Sequence, residues 1–274
     1  MIKLKLKHWR AVGLAAGLSL VAACGGEAGE AGEAGEGGEG GEAGEAGASA
    51  PTPSAATATA PAGGEAGEAG AASAYAGVSG DQLTALRLQH LRGFVMVANA
   101  VAAEGQPAEA AVLVQQGLLE VYDAAPDQFG GLNADLVRAA TDASLNQAQL
   151  TARLRAADTE IQRAEAALDV DDAALTARLI DIATGLYQSV NQADYVDPIE
   201  YQHSLGAALA AQSALSAGAS DLRGENGRAF TEAQNEVQRF VALWREPVAP
   251  ERPATYAQVL AQGSRVRLAL SPFL

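Results

Sequence analysis

The segment LTARLRAADTEIQRAEAAL, residues 150–168, has the apolar spacing of an amphipathic α-helix. Its apolar side chains recur every three or four residues, at Leu150, Leu154, Ala157, Ile161, Ala164 and Leu168. Residues at this spacing share one face of a helix, whereas a strand requires strict alternation. The segment therefore predicts a helix with one buried face, and no stretch of the chain alternates convincingly as a strand.

Similar apolar stripes occur elsewhere, for example along 175–190 and 230–244, and glycines, prolines and acidic residues separate the helical segments. We expect an all-α bundle of six or seven helices. The predicted helices lie near 81–104, 107–124, 132–168, 172–193, 198–217, 222–246 and 254–270. The third is expected to break around 144–147.

Two of these helices match each other at a constant offset of 113 residues. The sequence QHLRG at 89–93 corresponds to QHSLG at 202–206, and Gly105 corresponds to Gly218. Such a match predicts an internal duplication, with repeats at 81–145 and 198–270 and the helices near 81–104 and 198–217 equivalent.

Apart from Cys24 and Tyr75, residues 24–77 are Gly, Ala, Glu, Pro, Ser and Thr, with a repeated Glu-Ala-Gly triplet. Such a segment has almost no large apolar side chain and cannot offset the entropy lost on folding. We predict a disordered tether here, followed by a folded domain at 78–274. The alternative is that the acidic repeat weakly binds a cationic partner.

The first 23 residues are typical of an export signal. Basic residues precede an apolar run, Ala11–Ala23, that is too short to span a bilayer. The run ends in LVAAC, residues 20–24, which resembles the lipobox of bacterial lipoproteins. The resemblance implies cleavage before Cys24 and its lipidation, which would tether the protein to a membrane. In some bacteria an aspartate directly after the lipidated cysteine retains the lipoprotein in the inner membrane. This chain has Gly25 there instead, so we expect the outer membrane, with the domain facing the periplasm or the cell surface.

Composition excludes several classes of function for the predicted domain. It contains 14 arginines and 24 acidic residues, so it has no electrostatic footprint for nucleic acid or anionic lipid, and the expected ligands are positively charged ones or none. Cys24 is the single cysteine of the chain, which leaves the domain without disulfides, thiol nucleophiles or thiolate metal sites.

Two histidines are the strongest candidates for a site in the domain. His90 and His203 lie on apolar stripes of the two matching helices, and Glu200 precedes His203 by three residues. Imidazole and carboxylate groups on facing helices can hold a metal ion in a bundle core. The alternative is that each histidine is a hydrogen-bonded core residue, and the sequence leaves both interpretations open.

No spacing signature of a catalytic triad, zinc protease, phosphate loop or dinucleotide site is present. The acidic run DVDD, residues 169–172, is explained as a helix cap. We therefore expect a protein that is not an enzyme and has no required cofactor, although a metal ion remains possible.

Lipoproteins with duplicated helical bundles resemble the imelysin-like periplasmic proteins, a family associated with iron uptake. That family carries a glutamate three residues after its motif histidine, where this chain has Gly93 and Gly206. The leading expectation is a lipid-anchored envelope protein whose helical module binds a ligand or an envelope protein. The alternative is a metal-binding accessory of iron or copper uptake that uses His90, His203 and Glu200.

Overall fold

The computed structural model describes residues 66–192 and 195–274. The predicted signal peptide, Cys24 and most of the predicted tether lie outside these residues. In the described part, nine α-helices and no β-strand are present. They are α1 (Ala66–Tyr75), α2 (Gly80–Ala103), α3 (Pro107–Gly117), α4 (Ala134–Arg138), α5 (Gln147–Glu165), α6 (Asp172–Tyr187), α7 (Pro198–Ala217), α8 (Ala219–Val241) and α9 (Tyr256–Leu270). The expected all-α fold is confirmed, with more helices than predicted.

Helices α2 and α7 form the centre of the bundle. Helix α2 packs against α3, α5, α6 and α7, while α7 packs against α2, α6 and α8. Helix α1 packs on α6, and α9 packs on α6 and α8. None of the described helices is long and apolar enough to cross a membrane.

Side-chain caps account for several of the helix starts. Asn146 and Gln149 form a reciprocal capping box at the start of α5, and Thr255 and Gln258 form another at α9. Asp171 accepts a hydrogen bond from the backbone N–H of Ala174 at the start of α6. The acidic run at 169–172 therefore contains a helix cap, as the sequence indicated.

The predicted break in 132–168 is present, because the cap at Asn146 starts α5 at Gln147. Other predicted boundaries were wrong, since α4 already ends at Arg138. Helix α3 ends in a π-helical turn, Leu118–Tyr122. Helix α8 contains a kink at Asn226, where φ is −152° and ψ is 87°.

The folded part also begins before the predicted boundary at residue 78. Helix α1 lies inside the segment that was predicted to be a tether. Its residues Ala71 and Ala74 are buried in the hydrophobic core, and Tyr75 packs against that core. Small alanine side chains carry little sequence signal for burial, which is why this helix was missed.

Candidate functional site

His90 lies on the buried face of α2, where it contacts Tyr75 of α1. Its Nδ1 atom is 2.6 Å from the Tyr75 hydroxyl oxygen, and its Nε2 atom has no hydrogen-bond partner among the described residues. Burial raises the pKa of Tyr75, so the hydroxyl stays protonated and donates a hydrogen bond to Nδ1. The tautomer of His90 is therefore the one protonated at Nε2.

His203 is turned toward α3 and the π-helical turn that follows it. Its Nε2 is 3.3 Å from Gln116 Oε1, and its Nδ1 is 3.5 Å from Glu120 Oε2. Burial lowers the pKa of His203 to about 4. The imidazole is therefore uncharged at neutral pH, and its contact with Glu120 is a polar contact rather than a salt bridge.

The ring of Phe94 contacts both histidines. Its centroid is 5.6 Å from that of His90 and 4.6 Å from that of His203. Gly117 makes room for this ring, since a Cβ added there would lie 2.6 Å from Phe94 Cγ. One aromatic ring thus packs against both imidazoles.

Burial also lowers the pKa of His90, to about 3, and the neighbouring His203 and Arg87 lower it further. Glu200 is buried one turn before His203, but the ring nitrogens of His203 contact Gln116 of α3 and Glu120 of the π-helical turn. Among the described residues, no group of three or more His, Cys, Asp or Glu side chains could hold a metal ion. The arrangement is that of two neutral core histidines with separate partners.

A second candidate site, which the sequence reasoning missed, is a groove on the outer side of α2 and α7. Its first cavity, of about 260 Å³, lies between α2, α5 and α7. Its second, of about 310 Å³, lies between α2, α7 and α8. Met96 and Leu209 line both cavities, so the two are adjacent. We call the two adjacent cavities the α7 groove.

The floor of the α7 groove is apolar and its rim is polar. The floor residues are Val95, Met96, Leu154, Leu209, Leu215 and Val237. The charged residues Arg92, Arg155 and Asp158 line the first cavity, whereas the second has only neutral amide and hydroxyl groups on its rim. The charge of the groove is therefore concentrated at one end.

At the charged end of the groove, Arg155 forms no ion pair with a described carboxylate. Asp158 Oδ1 accepts a hydrogen bond from Arg92 Nε at 2.6 Å, and Asp158 Oδ2 accepts one from Gln162 at 2.5 Å. Arg92 also donates to Ser213 Oγ at 2.6 Å. Both oxygens of Asp158 are thus engaged, and Arg155 pairs with no carboxylate among the described residues.

The sequence contained one signal for this groove. Met96 is the only methionine besides Met1, and Val95 and Val97 flank it in the sequence of α2. Flexible methionine side chains are common at adaptable binding surfaces. This signal could not predict the groove, because each cavity is formed by three helices. The spacing of residues within one helix does not show which other helices pack beside it.

Comparisons with protein-family profiles, curated proteins and solved structures found no match to this chain. We therefore propose a function from the geometry of the histidine cluster and of the α7 groove.

Proposed function

We propose that this chain is a lipid-anchored protein of the cell envelope whose helical domain is a non-catalytic binding module. The support for the anchor is the sequence around Cys24, which has the basic, apolar and cysteine parts of a lipoprotein signal in order. An acylated cysteine followed by a tether would hold the domain near a membrane without a spanning helix.

The observation that carries the binding role is the α7 groove. Ligand sites are concave and mostly apolar, and a few polar groups in them orient the ligand. The groove has this composition, with an apolar floor around Met96 and Leu209 and charged groups at Arg92 and Arg155. Its two cavities together reach the volume range of small-molecule sites.

The histidine cluster supports a non-catalytic role. A general base must be able to reach its substrate and to change protonation near the working pH. His90 and His203 are buried, and their lowered pKa values, about 3 and about 4, keep them neutral. The metal-binding alternative has less support, since no group of three or more His, Cys, Asp or Glu side chains in the described part of the chain could hold a metal ion.

We further propose that α2 and α7 derive from a duplicated unit. Three observations support this: Gly93 meets Gly206, Met96 and Leu209 line both cavities, and both pairs share the 113-residue offset. The preceding helices α1 and α6 also pack on each other. A repeat would then start one helix earlier than the sequence indicated.

The binding role can be tested by filling the groove. We expect the full chain, purified from bacterial membranes, to carry one non-covalent ligand that is visible by native mass spectrometry. Leu209→Trp fills the centre of the groove and should remove this ligand, whereas Leu268→Trp, at an exposed position outside both cavities, should retain it. If the wild type and both variants each showed only their own ligand-free mass, the binding role would be contradicted.

The anchor can be tested separately. The wild-type chain should sediment with membranes, and Cys24→Ser should release it into the soluble envelope fraction. A membrane association unaffected by Cys24→Ser would contradict the proposed lipid anchor.

A further inference from the structure

We propose that the α7 groove binds a single-chain anionic amphiphile of the fatty-acid type. The carboxylate would lie at Arg155, and the acyl chain would run along the floor between Met96 and Leu209. This inference rests on the proposed binding role and adds the chemical class of the ligand. Three features of the groove carry it.

The first feature is an arginine without a counter-charge in an acidic domain. Asp158 is occupied by Arg92 and Gln162, so it does not neutralise Arg155 one turn earlier on α5. Arg155 is exposed and lines the first cavity. A guanidinium group binds a carboxylate through two parallel hydrogen bonds, which gives both affinity and orientation.

The second feature is the asymmetry of charge along the groove. Every charged residue that lines it belongs to the first cavity, and the second cavity is lined by Gln, Ser, Leu, Val and Met side chains. A ligand with two charged ends would leave one end facing neutral groups. A ligand with one charged head and a long neutral tail matches this distribution.

The third feature is the apolar floor that the two adjacent cavities share. Met96 and Leu209 line both cavities, and Leu215 and Val237 add apolar surface in the second. Each further methylene group removed from water favours binding. An alkyl chain would therefore gain affinity with length along the floor, and the flexible Met96 side chain can adapt to it.

Met96 provides a direct probe of occupancy. The full chain with Cys24→Ser, labelled with [methyl-¹³C]methionine, has two labelled residues, and Met96→Leu assigns the Met96 signal by removing it. Cys24→Ser keeps the chain's own lipid from competing. Titration with decanoate should shift the Met96 methyl signal in a saturable way, whereas acetate, which has no tail, should not shift it.

The charge at Arg155 provides the specific test. Arg155→Gln should weaken decanoate binding by about tenfold, since it removes a hydrogen-bonded ion pair. The matched control is Arg153→Gln, an exposed arginine of the same helix that lines neither cavity, and it should leave the affinity unchanged. Decanol, which has the same tail without the charge, should bind more weakly than decanoate.

Two results would overturn this inference. One is an unchanged Met96 signal in decanoate, and the other is equal binding of decanoate and decanol with no effect of Arg155→Gln. If membrane-purified protein still carried a ligand that Leu209→Trp lacks, the binding role would stand and the fatty-acid assignment alone would fall. If no such ligand were present either, both would fall.

Discussion

Gly93 and Gly206 meet backbone to backbone where α2 crosses α7. A Cβ added to Gly93 would lie 2.6 Å from the carbonyl carbon of Gly206, and one added to Gly206 would lie 2.8 Å from the carbonyl carbon of Gly93. Glycine in mid-helix costs about 0.5–1 kcal/mol relative to alanine, so this crossing must recover that cost through close packing. One turn further along each helix, Met96 and Leu209 form the centre of the α7 groove.

Replacing either glycine at the crossing should destabilise the fold. Gly93→Ala places a methyl group against backbone atoms that cannot move aside, and overpacking of this kind costs about 1–3 kcal/mol. Gly224→Ala in α8 is the matched control, because a Cβ there meets nothing within 4 Å. Urea denaturation should show a loss for Gly93→Ala and no loss for Gly224→Ala, and equal stability of the two would refute the close crossing.

The hydrogen bond between Tyr75 and His90 should hold α1 on the domain. Tyr75→Phe leaves His90 Nδ1 as a buried acceptor without a partner, which costs about 1–3 kcal/mol. Tyr195→Phe changes an exposed tyrosine and should have little effect. Thermal unfolding of both variants measures the difference, and a fully stable Tyr75→Phe would show that α1 is not held through this contact.

Stability should decrease as the pH falls from 7 to 5. His90 and His203 have ordinary pKa values near 6.5 when unfolded, but burial lowers them to about 3 and about 4 in the folded protein. Below pH 6.5 the unfolded chain binds protons that the folded chain does not, so the unfolding free energy falls by up to about 1.4 kcal/mol per pH unit for each histidine.

Urea denaturation at pH 7, 6 and 5 checks this slope. His203→Gln removes one of the two groups, and its unfolding free energy should fall about half as steeply as that of the wild type. A histidine NMR signal from the folded domain that titrates near pH 6.5 would be inconsistent with two buried neutral imidazoles.

Freeing Arg92 should strengthen binding of an anionic amphiphile. Asp158→Asn removes the negative charge that neutralises Arg92, so the first cavity gains a second uncompensated arginine. We expect decanoate affinity to rise several-fold in titrations followed at the Met96 methyl group. Asp181→Asn, which breaks the ion pair to Arg267 outside the groove, is the control. Unchanged or weaker binding in Asp158→Asn would argue against the placement of the carboxylate in this cavity.

Helical periodicity predicted much of the fold because it depends on local spacing alone. The stripe at 150–168 corresponds to α5, and the matching helices correspond closely to α2 and α7. The periodicity failed where the ends depend on tertiary contacts. The π-helical turn at Leu118–Tyr122 follows Gly117, which is packed against Phe94 of another helix.

The candidate site was less accessible to sequence reasoning. The apolar stripes correctly predicted that His90 and His203 face inward, but not that Phe94 contacts both of them. The spacing of Glu200 and His203 suggested a shared metal site, although the ring nitrogens of His203 contact Gln116 and Glu120. Side-chain direction across a helix crossing depends on the crossing geometry, which local spacing does not specify.

The most direct test of the binding role is photo-crosslinking from Met96 in cells. Photo-methionine would label Met96, because Met1 is lost with the predicted signal peptide. Illumination should attach an envelope ligand to the tryptic peptide that contains residue 96, and Leu209→Trp should abolish this adduct while Leu268→Trp retains it. The proposal predicts one adduct of defined mass. If the photolabel at residue 96 had reacted only with water in the wild type and in both variants, the proposal would be contradicted.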